Sequence, residues 1–506
     1  MGRESALATR PKTTPVVAEP TAEPRDELAD LGANSEPVAI RLFLAVVASA
    51  VFISVLTGSM VTVLLPLMRE EFNVSTAQIG WVVTGFALTY AVGVPLYGRI
   101  SDVFGVRRVF TFGLLGFAAG GLICAAAPSL EILVLGRVVQ ATGGAAVPAL
   151  ASVAAVKVLP PGQRGAALGL IASSVGIGAA VGPIVGGTVG DWIGWRALFL
   201  GSLALMLGLL PIARRVLPSG GATGERRFDI AGGVLLGLAA GLFLFGITQG
   251  QVSGFAAFPS WGSFLGAALA AAGFVWRINT ARHPFVSPAL FTNRAYVSAI
   301  VVGYCAMLAN LTTLVFVPLL LVEVNDLSPR NAGFVLTPGA VALALLSPLT
   351  GRLSDRVGVR PPIVTGLLIM GGAVLLLSTA AGASPWWIAA GIVGMGTGFA
   401  FVQSPTSNAA ANALSGGDIG VGMGIFAGAF FLGSGTGPAL IGALLAARQE
   451  TGADALNPLW DRADLLAAPF SDAYLAVSLA LLVALAATVG LRRTRPDAPN
   501  DQGPSR

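Results

Sequence analysis

Four charges fall within the eleven residues GRISDVFGVRR, Gly98 to Arg108, wedged between two long apolar runs. Arg99, Arg107 and Arg108 can pair with the Asp102 carboxylate and with lipid phosphates. Nearly the same words return at Gly351 to Pro361 as GRLSDRVGVRP, 253 residues later, with Gly351, Arg352 and Asp355 in matching places and Arg356 beside them. A further lone charge, Arg137, lies about one turn inside another apolar run, with Gln140 three residues on and so on the same helix face. A charged side chain within a membrane span costs at least about 2.5–3.5 kcal/mol, so Arg137 is expected to face protein or water and to be functional. None of these groups makes a catalytic set: no nucleophile–base pair and no cluster of metal ligands accompanies them. Cys124 and Cys305 sit inside apolar runs, and the single histidine, His283, lies in a polar connection. Neither a metal site nor a disulfide framework is expected. No glycine-rich segment is followed by Lys-Ser or Lys-Thr, so no ATP-binding loop is expected either.

The elements that hold these residues follow from composition. Of 506 residues 55% are hydrophobic and only 11% charged, against roughly 25% charged in soluble domains. That much apolar surface belongs in a bilayer. A helix needs about 20 apolar residues to cross the hydrocarbon core. Fourteen runs qualify, near 42–66, 79–98, 108–127, 132–156, 166–189, 196–213, 230–249, 260–278, 295–322, 332–350, 362–381, 385–408, 419–446 and 472–491. With the N-terminus inside, the cytoplasmic connections and tails carry twenty-four of the thirty Lys and Arg residues, and the opposite side only five. The positive-inside rule thus favours an even number of spans with both termini cytoplasmic. The same scattering argues that the net charge of +5 marks topology rather than nucleic-acid binding. Residues 1–40, polar and lacking an apolar core, are expected to be a mobile cytoplasmic tail rather than a cleaved signal. Residues 492–506 are expected to form a second such tail.

Both copies of the repeated motif fall in cytoplasmic connections. A second pair, GAAVGP at Gly178–Pro183 and GSGTGP at Gly433–Pro438, is offset by 255. Two halves pointing the same way make a parallel repeat related by an axis along the membrane normal. The expected fold is an all-α membrane protein of fourteen transmembrane helices. It comprises two six-helix bundles, 41–215 and 295–491, with a helix pair inserted at 216–294.

These features resemble the major facilitator superfamily, and within it the fourteen-span drug exporters that include the Gram-positive tetracycline pumps. Four motifs carry the resemblance: GRISDVFGVRR; LGRVVQATGGAAVPAL from Leu135, with Ala141 and Thr142 replacing the usual Gly and its neighbour; GIGAAVGPIVGG from Gly176; and FDIAGG from Phe228, which typically opens the extra pair. The resemblance implies that Asp102 meets the positive N-terminus of the helix opened by Gly417 and Asp418. That contact would be a charge–dipole latch, with Gly98 and Gly105 allowing a tight turn and Asp355 as the weaker twin. It implies that Gly178, Gly182, Pro183, Gly186 and Gly187 form a hinge that favours export. It also implies proton antiport. Two departures bear on coupling: Thr57 and Thr62 stand where related exporters carry an acid and an Asn, and Ala179 where tetracycline pumps carry Glu.

No Asp or Glu falls at mid-depth in any span. Polar groups expected to line a cavity include Arg137, Gln140, Thr57, Thr62, Ser173, Asn310, Gln403, Ser404 and Asn408. The sequence therefore leads to an inner-membrane exporter of a small drug-like molecule, neutral or anionic, with protons and the lipid bilayer as its other partners, no cofactor and no enzymatic activity. A metabolite facilitator or importer and a membrane-embedded sensor or scaffold are the other two readings.

Overall fold

A computed structural model describes residues 37–218, 229–282, 284–415, 418–451, 455–460 and 466–491. The expected tails at 1–36 and 492–506, His283 and Gly417 lie outside the described residues. Among the described residues fourteen helices are long and apolar enough to cross a membrane. They are α1 (Pro37–Phe72), α2 (Trp81–Phe104), α3 (Val106–Ala125), α4 (Leu130–Val158), α5 (Pro161–Ile193), α6 (Trp195–Val216), α7 (Ile230–Ser253), α8 (Phe258–Thr280), α9 (Arg294–Glu323), α10 (Pro329–Val357), α11 (Arg360–Thr379), α12 (Pro385–Asn412), α13 (Ile419–Thr451) and α14 (Ala468–Ala487). Lipid offers no partners to backbone N–H and C=O groups, so each span satisfies its own by remaining helical.

Several helices outrun the apolar stretches. Residues 37–40, expected in the tail, already belong to α1. The larger difference concerns the repeated motif, which is not a loop: Gly98 to Phe104 are the last two turns of α2, and Gly351 to Val357 the last turns of α10. Only Gly105 and Gly358 break the chain, each at a φ of 85°, a left-handed conformation that favours glycine. Apolarity marks where a helix lies in lipid, not where its hydrogen bonding stops.

α1–α6 pack as one bundle and α9–α14 as the other, joined through two seams, α2 on α13 and α5 on α10. Small residues permit the tightest crossings. On α4, a side chain at Gly143 would collide with Phe117 and Gly113 of α3, and an added Cβ at Gly120 would collide with the backbone of Gln140. The glycines of the span 4 motif thus set the α3–α4 spacing.

The inserted pair, α7 and α8, packs against α2 and α13. Gly237 and Gly241 receive Val92, and Gly233 receives Leu96. FDIAGG now has a local reason. Asp229 caps α7 by accepting from Gly232 N at 3.1 Å, and Arg277 at the end of α8 donates to the same carboxylate at 3.1 Å. A side chain at Gly232 would press on Asp229 and on Phe285. Burial alone would raise the Asp229 pKa, but the Arg277 guanidinium and the backbone amides outweigh it and hold the carboxyl below its usual range. Such a group stabilises the fold above its unfolded pKa, about 3.9, and the contribution fades as pH falls through the lower folded value. Asp229→Asn keeps the cap and loses the charge facing half-exposed Arg277, so it should be less stable than the wild type by about 0.2–1 kcal/mol at neutral pH. Thermal unfolding in detergent should show that gap closing below about pH 4.

Candidate functional site: two docked carboxylates at the seams

At one end of the bundle the two seams are built to the same plan. In the α2–α13 seam, a Cβ on Gly98 would fall onto the carbonyl oxygen of Gly420, and one on Gly420 would fall onto the Asp102 carboxylate. In the α5–α10 seam, a Cβ on Gly351 would fall onto the carbonyl oxygen of Gly165, and one on Gly165 would lie 2.6 Å from the Asp355 carboxylate. Each motif serine turns its hydroxyl back onto its own helix, Ser101 to Gly98 O and Ser354 to Gly351 O, both at 2.7 Å. Backbone meets backbone because neither side carries a side chain, and each aspartate one turn on closes against the facing helix.

Asp102 Oδ2 accepts from Val421 N at 3.0 Å, in the first turn of α13, where amides are not used within the helix and the helix end is partially positive. The expected N-terminal contact is thus present in geometry, on the thirteenth helix. The expected arginine partners are not. Lys157, in the last turn of α4, donates to Asp102 Oδ1 at 2.8 Å, with side-chain exposures of 11% and 7%. Arg107 instead donates to Leu217 O at 2.6 Å, beyond the end of α6. Arg108 is exposed. Arg99 acts on Asp102 only through space, and its buried Nε has no hydrogen-bond partner. Lys157 was legible only as one of two lysines in the chain; its pairing depends on how α4 crosses α2.

Asp355 differs in its partners. Its oxygens accept from Gly165 N at 2.9 Å and Ala166 N at 3.0 Å, and Asn408 Nδ2 donates to Oδ1 at 3.1 Å. Arg352 and Arg356, expected beside it, point outward and are exposed. Asn408 and Ser404 therefore belong to this seam rather than to a cavity wall; Ser404 Oγ donates to Gly165 O at 3.1 Å.

Arg137 is 1% exposed. Its Nε donates to Val82 O at 3.2 Å, its Nη1 to Gln140 Oε1 at 2.7 Å, and its guanidinium carbon sits 4.0 Å over the Phe86 ring. Arg137 and Gln140 are together, as expected, but they face protein and not open space. Phe86 stacks on Tyr90, and Tyr90 reaches Phe431 of α13 at 5.1 Å. The other expected cavity residues are not gathered with them. Thr57 is fully buried and bonds Ile53 O, and Thr62 bonds Ser59 O. Asn310 on α9 is half-buried. Gln403 Oε1 is buried without a hydrogen-bond partner.

The glycine-rich face of α5 packs on α1: side chains at Gly178, Gly182 and Gly186 would meet Phe52, Ser59 and Met60, while Gly187 has only an ordinary contact with Val63. Ser59 Oγ donates to Gly178 O at 3.1 Å, and α5 runs unbroken through Pro183. On its other face, α5 meets α10 from Gly165 to Gly176, with Ser173 Oγ donating to Ala344 O at 2.7 Å. α10 is exposed along its length away from this contact, with Leu349 at 55%, Leu345 at 67%, Val341 at 48% and Phe334 at 62%.

Comparison with known proteins agrees with this architecture. The chain is 29% identical over 403 residues to the multidrug resistance protein Stp of Mycobacterium tuberculosis, covering 78% of this chain and 74% of that protein. It is 28% identical over 424 residues to the tetracenomycin C resistance and export protein of Streptomyces glaucescens, covering 83% and 78%. The fold matches the crystal structure of the human organic anion transporter MFSD10 with a TM-score of 0.66, over 90% of this chain and all of that one, at 15% identity. The family model of the Major Facilitator Superfamily matches residues 47–281 and 298–505. With its paired six-helix halves and its repeated seam, this chain is a multi-pass membrane protein that belongs to the major facilitator superfamily of secondary transporters.

Proposed function

We propose that the protein is a bacterial inner-membrane exporter of a small drug-like molecule, and that Asp102 and Asp355 are the latches closing its cytoplasmic side. The matched pair of docked carboxylates carries this reading. Both seams are shut at one end by the same backbone crossing, the arrangement expected where that side of a transporter is closed. The Lys and Arg bias places the Asp102 end in the cytoplasm. The relatives named for multidrug resistance and tetracenomycin C export support an exported drug as cargo. The glycine face of α5 on α1 supplies the smooth interface along which a hinge would work.

The substrate is neutral or anionic. Among the described residues every Asp and Glu lies in a connection or within two turns of a helix end, so a cationic drug would find no interior carboxylate. An unpaired cation in a low-dielectric interior is costly. Arg137 keeps the interior positive while bound to uncharged partners. Outward movement of one negative charge gains about 2.3 kcal/mol per 100 mV, inside negative, which corresponds to roughly fifty-fold accumulation. Protons are the expected counter-ion.

Asp102→Asn should abolish export, because the charge attracted to α13 is gone, and should lower membrane abundance less than loss of Lys157, whose long side chain in the last turn of α4 can turn its ammonium to water. Lys157→Ala should lower both, since an unpaired buried carboxylate costs about 3–5 kcal/mol. The double variant Asp102→Asn/Lys157→Ala should regain abundance without regaining export. Quantified membrane protein and drug efflux from a pump-deficient host decide the case; normal efflux by Asp102→Asn would overturn the latch.

Drug accumulation should rise when the membrane potential is collapsed and should not respond to ATP depletion at fixed potential. In a resistance panel, neutral and anionic antibiotics should be exported and ethidium-like dyes should not. Export of the dyes would reject the charge argument.

A further inference from the structure

Between the inserted pair and the α2–α13 seam lies a cavity of about 530 Å³ that the transport reading leaves unused. Its thirteen lining residues are all apolar, among them Pro95 of α2, Phe243 of α7, Phe264 and Ala268 of α8, and Gly428 and Leu432 of α13. The volume is that of a ligand site, roughly 300–1,000 Å³, yet such sites hold a few placed polar groups and this one has none. A drug bearing hydrogen-bonding groups would lose water there and gain no partner. A hydrocarbon chain loses nothing, and it supplies the dispersion contacts that a void would forfeit. All four walls are membrane-spanning helices, so the hydrocarbon at hand is the bilayer itself.

One charged group addresses the crevice. Arg99 stands one turn from Pro95 toward the Asp102 end, at i+4 and so on the same face. On that face Pro95 borders α13 through Gly424 and Gly428, while Val92 and Leu96 border α7 through Gly237 and Gly233. Arg99 lies one turn beyond these contacts toward the Asp102 end, next to the crevice and outside its lining. It is half-buried, and its Nε has no hydrogen-bond partner.

We propose that this crevice binds one phospholipid, with an acyl chain between the inserted pair and the seam and its phosphate on Arg99. A lipid seated there touches α2, α7, α8 and α13 together only while Asp102 is docked on Val421. The inserted pair thus walls a lipid site against the moving seam and favours the closed cytoplasmic side.

The test uses the full-length protein in phosphatidylglycerol nanodiscs carrying a small fraction of phosphatidylglycerol with a diazirine on one acyl chain. After photolysis, peptide mapping should find label on 236–243, 264–271 and 425–432 at least tenfold above the α14 surface of Leu479, Leu482 and Val483, which is also exposed. Ala268→Leu should reduce crevice labelling and Ala268→Trp should reduce it further, with α14 labelling unchanged. The milder variant guards against loss of fold, which size-exclusion profiles check. Arg99→Gln should reduce crevice labelling by the phospholipid several-fold and leave labelling by an uncharged diazirine alkane unaltered. Crevice labelling no higher than on α14, or undiminished in both Ala268 variants, overturns the site. Equal phospholipid labelling in wild type and Arg99→Gln overturns the phosphate contact, and labelling by a diazirine fatty acid in preference to the phospholipid overturns the choice of lipid.

Discussion

The structure depends on two places where helix backbones touch without side chains between them, Gly98 on Gly420 and Gly351 on Gly165. Only glycine on both partners permits that approach, and only that approach brings a short aspartate within reach of the opposing amides. The carboxylate and the glycine pair are therefore one device. A side chain added on any of the four glycines would push the seam apart and strand a buried carboxylate, the costlier of the two outcomes.

The twin seams share geometry but not electrostatics. Asp102 is neutralised by Lys157 and takes one amide of α13; Asp355 takes two amides of α5 and the Asn408 side chain. No Lys or Arg among the described residues forms an ion pair with Asp355. Removing a buried carboxylate from its partners costs more when a cation is left behind, so the α2–α13 seam holds the greater charge-dependent share of the closure. The inserted pair packs on this same seam, whereas α5–α10 has no such flank.

Inside the bundle the ionic inventory is sparse. Arg137 is held by a carbonyl, a side-chain amide and an aromatic face, each of which accepts a cation's field without a formal charge. A guanidinium so placed needs no carboxylate, in keeping with the lack of mid-span acids among the described residues.

The sequence by itself determined the fourteen spans, the parallel repeat and the two motif aspartates. Apolar run length and repeated spelling are local properties, and hydrocarbon leaves helices as the only continuation. By resemblance it marked FDIAGG as the opening of the inserted pair, but not that Asp229 caps α7 and pairs with Arg277. Helix ends at the motif escape such a reading, because polar residues in the final turns resemble a loop while the helices persist to Phe104 and Val357. Partner identity was beyond the sequence. Lys157 lies 55 residues from Asp102, and Asn408 lies 53 from Asp355. Which of several nearby charges reaches a carboxylate is set by the angle at which helices cross, and no spacing along a single helix encodes it. Tertiary structure likewise decided that Arg137 turns inward to Val82 and Phe86, and that the inserted pair packs on α2 and α13 beside an apolar crevice. Both follow from packing among helices distant in the chain, where small differences in side-chain volume choose the contact.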